Sequence, residues 1–345
     1  MVKLKDVAEK SGFSITTVSR ALAGYSDVNN KTRQQIVEIA YSLGYQPNMV
    51  ARQLRAQKTD TIGMIIPAYD HQLSEDFFSE LLIGVGYAAA QFGYDLLISA
   101  RSSGDQMDAY RCIVGGNRVD GVLVARTCRN DPRIAYLKSL NHPFVVSGRS
   151  SPDEASDFPY IDADSQLGIR MMVNHLTALG HQRLALLLPP ENIAYTPYRL
   201  NGYKEGLAEA SLPYRDEYII YSNLRREGGY AAAQHLLDRH PDVTAIVASN
   251  DPMALGAMLA VHERGLQVGR DIAVTGFDDI PAAEYANPPL STVRQPIHTI
   301  GQRLTEMLIK IIHNEPLDEP QILLTPELVI RGSCGAKGDF RKARR

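Results

Sequence analysis

The chain has 345 residues, of which 44% are hydrophobic and 22% are charged, and its formal net charge at neutral pH is −3. This composition excludes a disordered protein, and the length predicts two or three domains of about 100–200 residues each. The sequence has no apolar run near the roughly 18 residues that a membrane-spanning helix needs, and its first ten residues lack a secretory apolar segment. Its three cysteines, Cys112, Cys128 and Cys334, lie far apart. We therefore expect a cytoplasmic protein with no bound metal, no cofactor and no membrane partner.

Charge is distributed unevenly along the chain. Residues 1–60 contain nine Lys or Arg and five Asp or Glu, and residues 336–345 contain five and one. Residues 61–335 contain 22 and 33. Basic ends around an acidic middle predict that one end of the chain contacts a polyanion while the body has another role.

Three short helices are predicted in the first 45 residues, at 2–11, about 15–23 and about 31–43, from apolar residues that recur at helical spacing. Gly12 forms a tight turn between the first two, and Ser14 can cap the second. This spacing is typical of a helix-turn-helix, whose second helix enters the DNA major groove. An ordinary small helical bundle, with its Ser and Thr side chains simply facing solvent, is the alternative.

A fourth, very short helix is predicted after Pro47, with Asn48 as its cap. About two turns are available, which is marginal for an isolated helix in water. We therefore expect this segment to need a partner before it becomes helical.

From Thr61 onward, short apolar runs alternate with amphipathic stretches. The runs read as parallel strands covered on both faces: "TIGMIIP", "YDLLISA", "DGVLVA", "PFVVSG", "RLALLLP", "YIIYS", "TAIVASN" and "IAVTGFD". The helices lie near 77–92, 105–117, 131–141, 195–210, 227–240 and 251–265. The alternation restarts once, which predicts two doubly wound α/β lobes with a ligand site in the cleft between them.

Long motifs also run in a fixed order from residue 2 to about residue 333. They are "LKDVAEKSGFSITTVSRALAG", "VNNKTRQQIVEIAYSLGYQPN", "ARQLR", "LGHQRLALL", "RLNGYKEGL", "SNDPMALGAM", "IAVTGFDDI" and "NPPLSTVRQP". In order and spacing they resemble the lac/gal repressor (LacI/GalR) family of bacterial transcriptional regulators. The resemblance implies an α/β protein with an N-terminal all-α helix-turn-helix head and two doubly wound parallel lobes of periplasmic-binding-protein-like (type I) architecture.

The domain boundaries follow from this resemblance. We expect a helix-turn-helix domain at 1–46, a hinge helix and linker at 47–60, a bilobal effector-binding and dimerisation domain at 61–335, and a basic tail at 336–345. The first lobe is placed at about 61–162 and 279–296, and the second lobe at about 163–278 and 297–333.

The resemblance also implies roles in DNA recognition. Ile15, Thr16 and Arg20 would read operator bases, Ile15 through an apolar contact such as a thymine methyl group. The residues that would contact phosphates or set register are Thr17, Ser19, Asn29, Lys31, Thr32 and Tyr45. The hinge helix would supply Asn48, Arg52, Leu54 and Arg55. Its leucine would wedge into the minor groove when two subunits meet, which implies a homodimer on a near-palindromic operator.

A small effector is expected between the lobes. In sugar-responsive relatives, the positions of Arg199, Asn250 and Asp278 hydrogen-bond sugar hydroxyls. The first lobe would add an aromatic pair, two cations at strand ends and a carboxylate: Phe77, Phe78, Arg126, Arg149 and Asp162. The lac repressor has an aspartate at the position of Gly148 and a tryptophan at that of Leu224, so galactoside specificity does not carry over. Stacking would then come from Phe77, Phe78, Tyr195 or Tyr285.

Several alternatives stay open at this level. The effector is expected to be a mono- or oligosaccharide that releases a repressor, and a purine co-repressor is the alternative. An enzyme on the same fold is disfavoured because the sequence has no phosphate-binding loop and no HExxH or GxSxG motif. Subunit pairing is predicted around 69–92 and 252–283, and the tail lacks the heptad leucines of a tetramer-forming zipper.

Overall fold

The computed structural model of the chain describes residues 2–22, 25–45, 58–67, 76–101 and 106–335. It divides into two compact units, Met1–Thr59 and Asp60–Arg345. The predicted hinge residues Asn48, Arg52, Leu54 and Arg55 and the basic tail 336–345 lie outside the described residues.

The first unit is a three-helix head made of α1 (Leu4–Ser11), α2 (Ile15–Leu22) and α3 (Asn30–Ser42). Gly12, with a φ of 73°, ends α1 in the left-handed conformation, and its N–H donates to the Ala8 carbonyl. The three helices share one apolar core of small and branched side chains: Val7, Ala8, Val18, Ala21, Val28, Ile36 and Ala40. The predicted helix-turn-helix head is confirmed, and its helices begin and end within two residues of the predicted limits.

The second unit contains two parallel sheets. The first lobe has a six-stranded sheet in the order β11-β5-β4-β3-β1-β2. Its strands are β1 (Thr61–Pro67), β2 (Asp95–Arg101), β3 (Gly121–Ala125), β4 (Phe144–Ser147), β5 (Tyr160–Ala163) and β11 (Gln321–Leu324). Its helices are α4 (Asp76–Gln91), α5 (Gln106–Val114), α6 (Pro132–Ser139) and α12 (Ile297–Ile312). Helices α4 and α12 cover one face of the sheet, and α5 and α6 cover the other.

The second lobe has a four-stranded parallel sheet in the order β7-β6-β8-β9. Its strands are β6 (Leu184–Leu188), β7 (Ile219–Tyr221), β8 (Ala245–Ala248) and β9 (Ala273–Thr275). Its helices are α7 (Ser165–Ala178), α8 (Thr196–Glu209), α9 (Arg226–Arg239), α10 (Asp251–Glu263) and α11 (Pro281–Tyr285). A small antiparallel pair, β10 (Thr292–Arg294) with β12 (Glu327–Val329), belongs to the same lobe. The predicted pair of doubly wound lobes is confirmed.

The expected lobe assignments of residues 279–294 and 297–324 are wrong. Ile280, Ala283 and Leu290 pack in the core of the second lobe, so 279–294 does not belong to the first. Helix α12 packs on α4, and β11 pairs with β5, so 297–324 belongs to the first lobe. The chain therefore crosses between the lobes near 164, 295 and 325.

None of the helices in the described parts of the chain is both long enough and apolar enough to cross a membrane.

Candidate functional site

The N-terminal turn of α2 forms an exposed surface on the head. The Ser14 hydroxyl accepts a hydrogen bond from the Thr17 N–H at 3.1 Å and lies 2.8 Å from the Thr17 hydroxyl, so it caps the helix. Thr16 is exposed, and Ile15 is 50% exposed even though it is apolar. The structure thus places both predicted base-reading residues of this turn on a surface open to a partner.

Arg20, the third predicted base reader, is also exposed but is already paired. Its guanidinium lies 2.6 Å from the Asp27 carboxylate and 5.1 Å from the centre of the Tyr25 ring. Both members of the ion pair are about half exposed, so it contributes about 1 kcal/mol or less to stability. Arg20 can therefore exchange this carboxylate for a base edge at low cost.

The start of α3 carries the predicted phosphate contacts. The Asn29 side chain accepts from the Thr32 N–H at 3.1 Å and caps the helix, and Lys31 is exposed beside it. A helix N-terminus with a neighbouring cation suits a phosphate. Ser19 and Tyr45 are half-buried, and Tyr45 packs against the head core.

A cavity of about 770 Å³, counting its open mouth, lies between the two lobes. The residues that line it are Phe77, Arg126, Thr127, Ser147, Gly148, Arg149, Asp162, Ser165, Tyr195, Arg199, Leu224, Asn250, Asp278, Gln295 and Ile300. Seven of the eight predicted effector residues are therefore brought together, from positions up to 201 residues apart in the chain.

On the second-lobe side, Arg199 is the most enclosed charged group. It is 5% exposed, its guanidinium donates to the Ser249 carbonyl, and it lies 4.3 Å from the Tyr195 ring centre and 4.1 Å from that of Phe277. In the described part of the chain no group accepts a hydrogen bond from its Nε. A buried guanidinium at a cavity wall, with an N–H that donates to no protein group described here, is suited to an oxygen-rich ligand.

Asn250 has a structural role as well as a place in the cavity wall. Its side-chain oxygen accepts from the Met253 N–H at 2.9 Å and caps α10, and its Nδ2 donates to the Leu224 carbonyl at 2.8 Å. Leu224 has a φ of 59° and forms part of the cavity lining. An amide has two donor hydrogens and two acceptor positions, so Asn250 keeps one of each for a ligand.

Two consecutive residues after β9, Asp278 and Asp279, have positive φ angles of 113° and 57° and diverge. Gln295 donates to Asp278 at 2.6 Å at the cavity, while Asp279 turns away to pair with Arg294 and Arg331, both at 2.7 Å. With Asp279 held in two ion pairs, the two carboxylates do not form an acid/base pair.

The loop that carries Asp278 is anchored by a buried carboxyl group. Asp251 accepts from the Ile280 N–H at 2.9 Å and from the Thr292 hydroxyl at 2.5 Å. Burial, and then the nearby charge of Asp278, raise the pKa of the Asp251 carboxyl well above its ordinary value. This carboxyl group is held by hydrogen bonds within the fold and lies outside the cavity lining.

On the first-lobe side, Arg149 links the ends of two strands. Its Nε lies 3.0 Å from the Asp162 carboxylate, its Nη2 lies 3.8 Å from that of Asp164, and its guanidinium lies 3.9 Å from the Tyr198 ring centre. Burial raises the pKa of Asp162 to about 6, and the opposing charge and hydrogen bond of Arg149 only partly offset it. Asp162 lies inside β5.

Phe78 is not part of the cavity wall, and its predicted role as an effector contact is wrong. It is 1% exposed and packs in the first-lobe core, while Phe77 reaches the cavity. Successive residues on a helix point about 100° apart, so only one of two adjacent aromatics can face the cleft. Phe78 instead supports Arg126, whose guanidinium lies 5.3 Å from its ring centre. Tyr285 is 79% exposed and is not among the lining residues.

Five lining residues were missed at the sequence level: Thr127, Ser147, Ser165, Gln295 and Ile300. Thr127 directly follows a predicted strand-end residue, which was an available signal. Ser165 begins α7, and its buried hydroxyl has no hydrogen-bond partner among the described residues. It therefore adds another polar atom available to a ligand.

The described residues contain no group of three or more His, Cys, Asp or Glu that could hold a metal ion. The arrangement is that of a binding site: cations, carboxylates and hydroxyls around a partly apolar cavity.

Comparison with known proteins gives two family matches. The model for bacterial regulatory proteins of the lacI family matches residues 3–48, and the model for the periplasmic binding protein-like domain matches residues 173–334. The HTH-type transcriptional regulator AglR of Rhizobium meliloti (strain 1021) is 35% identical over 341 residues, which cover 98% of this chain and 96% of AglR.

Two solved structures cover nearly the whole chain. A complex of the transcriptional regulator CelR with cellobiose aligns with a TM-score of 0.76 at 31% identity, over 96% of this chain and 100% of that one. The lac repressor dimer bound to operator and the anti-inducer ONPF aligns with a TM-score of 0.86 at 29% identity, over 97% and 99%.

Proposed function

Because the chain belongs to the LacI family of bacterial regulatory proteins and is a DNA-binding transcriptional regulator, we propose that it is a repressor released from its operator by a saccharide. It is not an enzyme. The saccharide binds between the two lobes, and the operator is a near-palindrome read by two copies of the head. The protein acts in the cytoplasm, at the DNA of the bacterial nucleoid.

The observation that carries this proposal is the chemistry of the cavity wall. Three guanidinium groups and two carboxylates, from Arg126, Arg149, Arg199, Asp162 and Asp278, surround one cavity together with aromatic and aliphatic side chains. Guanidinium and carboxylate groups each bind two adjacent hydroxyls in a bidentate manner, and apolar surfaces such as that of Phe77 pack on sugar ring faces. The cellobiose complex of the relative CelR supports a sugar as the class of ligand.

Pairing of two copies is supported by apolar residues on the predicted faces. On α4, Ile83 is 59% and Tyr87 is 56% exposed, and on α10 Leu259 is 40% exposed. Ile83 and Tyr87 are one helical turn apart, so they form a continuous patch. Residues 69–75 of the predicted interface lie outside the described residues. We assign these two helix faces to a homodimer with twofold symmetry.

A thermal-shift screen of the purified chain tests the ligand. A saccharide that binds only the folded state raises the melting temperature, and at a concentration of 100 times Kd it stabilises the protein by about 2.7 kcal/mol. We expect a shift with neutral mono- or disaccharides that is lost in Asp278→Ala. A shift with purines alone would instead establish the alternative, a purine-dependent regulator.

A further inference from the structure

A buried ion pair outside the cavity lining holds the end of strand β3. The Arg133 and Asp131 side chains are 6% and 3% exposed. The Arg133 Nε and Nη2 donate to the two Asp131 carboxylate oxygens at 2.8 and 2.6 Å, a bidentate pair. Burial by itself would raise the pKa of Asp131, but the hydrogen bond and charge of Arg133 lower it below the usual value, so both groups are ionised.

Both members of the pair also bind backbone. Arg133 donates to the Ala125 carbonyl at 3.1 Å and to the Arg126 carbonyl at 2.9 Å, and Asp131 accepts from the Cys128 N–H at 3.1 Å. These groups span the end of β3 and the turn that follows. Within this stretch Arg126 has a φ of 52°, a left-handed conformation that non-glycine residues adopt only when their surroundings hold them there.

Residues 126–129, which the ion pair holds, contribute both to the cavity wall and to a contact between the lobes. Arg126 lines the cavity, and residues 127–129 run antiparallel to residues 192–194 of the second lobe. The Ala194 N–H donates to the Thr127 carbonyl at 3.0 Å, and the Arg129 N–H donates to the Asn192 carbonyl at 2.9 Å. A main-chain bridge between Cys128 and Ile193 therefore joins the two lobes beside the cavity.

We propose that the Asp131–Arg133 pair is a positioning device that sets the conformation of Arg126 and keeps 127–129 in register with 192–194, so that the two lobes close around the cavity. This goes beyond the proposed function, because it concerns how the lobes are joined whichever ligand they hold. Arginine is required because its planar fork reaches one carboxylate and two carbonyls together, whereas a lysine ammonium is a single point on a flexible stem.

The register of the Cys128–Ile193 bridge can be measured without a ligand, by disulfide cross-linking. Cys128 and Ile193 are flanked by the two hydrogen bonds rather than joined by them, so their Cα atoms are about 4.5 Å apart, within reach of a disulfide. The test protein is the full chain with Ile193→Cys, and Cys112→Ser to remove an exposed thiol. Oxidised glutathione takes up the two electrons, and mass spectrometry after alkylation gives the rate of cross-linking. The pH is alkaline because burial raises the pKa of the Cys128 thiol.

In this background, we expect the Cys128 cross-link to form readily, and Arg133→Lys to slow it by about tenfold or more because the bridge loses register. Leu137→Ala is the matched control: it opens a cavity in the core under the same helix, α6, and touches none of the backbone groups that Arg133 holds. It should lower the melting temperature and leave the cross-linking rate unchanged.

A double variant distinguishes loss of the ion pair from misfolding caused by an unpaired buried charge. Asp131→Asn with Arg133→Met leaves no unpaired buried charge and should also cross-link about tenfold more slowly. The proposal is overturned if Arg133→Lys cross-links at the parent rate, or if Leu137→Ala slows the reaction equally. No cross-link in the parent would contradict the bridge itself, and none of these outcomes depends on the identity of the effector.

Discussion

Arg20 can exchange its contact with Asp27 for a contact with a DNA base. We predict that Arg20→Ala weakens binding to the preferred operator by about 1–3 kcal/mol, roughly 5- to 150-fold, because a bidentate contact to guanine is lost. Binding to unrelated DNA should change little. Competition titrations by fluorescence anisotropy, with preferred and scrambled duplexes, measure both affinities.

Lys31→Ala is the matched control for Arg20. Because Lys31 is predicted to contact a phosphate at the start of α3, this variant should weaken binding to all duplexes alike and reduce the slope of log affinity against log salt by about one. Equal losses on both duplexes for Arg20→Ala would show that Arg20, too, contacts only the phosphate backbone.

Asp162 predicts a pH dependence of stability. Burial raises the pKa of its carboxyl to about 6 in the folded chain, whereas an unfolded aspartate titrates near 3.9. Between about pH 4 and about pH 6 the folded protein keeps a proton that the unfolded chain has lost, so this group's stabilising contribution falls as the pH rises through that window. Arg149 and Arg199 are the cations that oppose this rise in the pKa.

The variant Asp162→Asn isolates this contribution. We expect the melting temperature of the unmodified protein, relative to Asp162→Asn, to fall from about pH 4 to about pH 6 and to be constant above about pH 7. Thermal unfolding followed by circular dichroism at a series of pH values measures the difference. A difference that does not vary with pH would show that Asp162 titrates normally.

At the scale of elements, helices α7 and α8 approach each other closely at Gly202. A Cβ atom added there would overlap the Gln166 carbonyl oxygen of α7, which is rigid backbone. Gly202→Ala should therefore cost about 1–3 kcal/mol of unfolding free energy by overpacking, although alanine is the better helix former. Asn201→Ala, on the exposed side of α8, should change it by about 0.5 kcal/mol or less.

Denaturant unfolding of the two variants measures these changes. Because α8 also carries Arg199, Gly202→Ala should weaken effector binding as well. Equal stability of the two alanine variants would contradict close packing of α7 on α8.

Two of the strands that apolar runs revealed, β1 and β6, are buried on both faces. "TIGMIIP" and "RLALLLP" are almost wholly apolar, and they form β1 and β6 within one residue of the predicted limits. Strand β5 is only half buried and contains Asp162, so it gave no continuous apolar run. Helix α12 was missed although Ile297, Ile300, Leu304 and Leu308 lie on one helical face.

The sequence of α12 and β11 alone could not show to which lobe these two elements belong. Strand β11 pairs with a strand about 160 residues earlier, and an apolar pattern does not say which of two similar sheets it joins. The same limit applies to the cleft. Arg199 and Asp278 were placed by their motifs, whereas Gln295 reaches the cavity only because the chain crosses between the lobes there, and the choice between Phe77 and Phe78 depends on the rotation of α4.

For the whole molecule, the assigned dimer interface predicts that loss of the dimer is accompanied by a loss of affinity for DNA. Ile83→Glu with Tyr87→Glu places charge in the apolar patch on α4, so the chain should become monomeric. Its affinity for a palindromic duplex should fall by about 10²-fold or more, because the two heads no longer bind as one unit. Multi-angle light scattering and the DNA titration measure the two effects.

Leu140→Glu is the control for this pair. Leu140 is 48% exposed at the end of α6, outside the assigned faces, and its replacement should leave both the dimer and the affinity intact. A dimer that persists in the double glutamate variant would place the interface elsewhere.

The central claim, that a saccharide in the cleft controls binding to DNA, is tested most directly by a linkage titration. The full chain is bound to a fluorescent duplex selected from a random pool, and the anisotropy of the duplex is followed. Neutral mono- and disaccharides are added in turn, with hypoxanthine as the purine control. We expect one saccharide to lower the DNA affinity by about tenfold or more, and Arg199→Met to bind the duplex equally well but not to respond. An affinity unchanged by every saccharide, or an Arg199→Met protein that responds like the parent, would contradict the account.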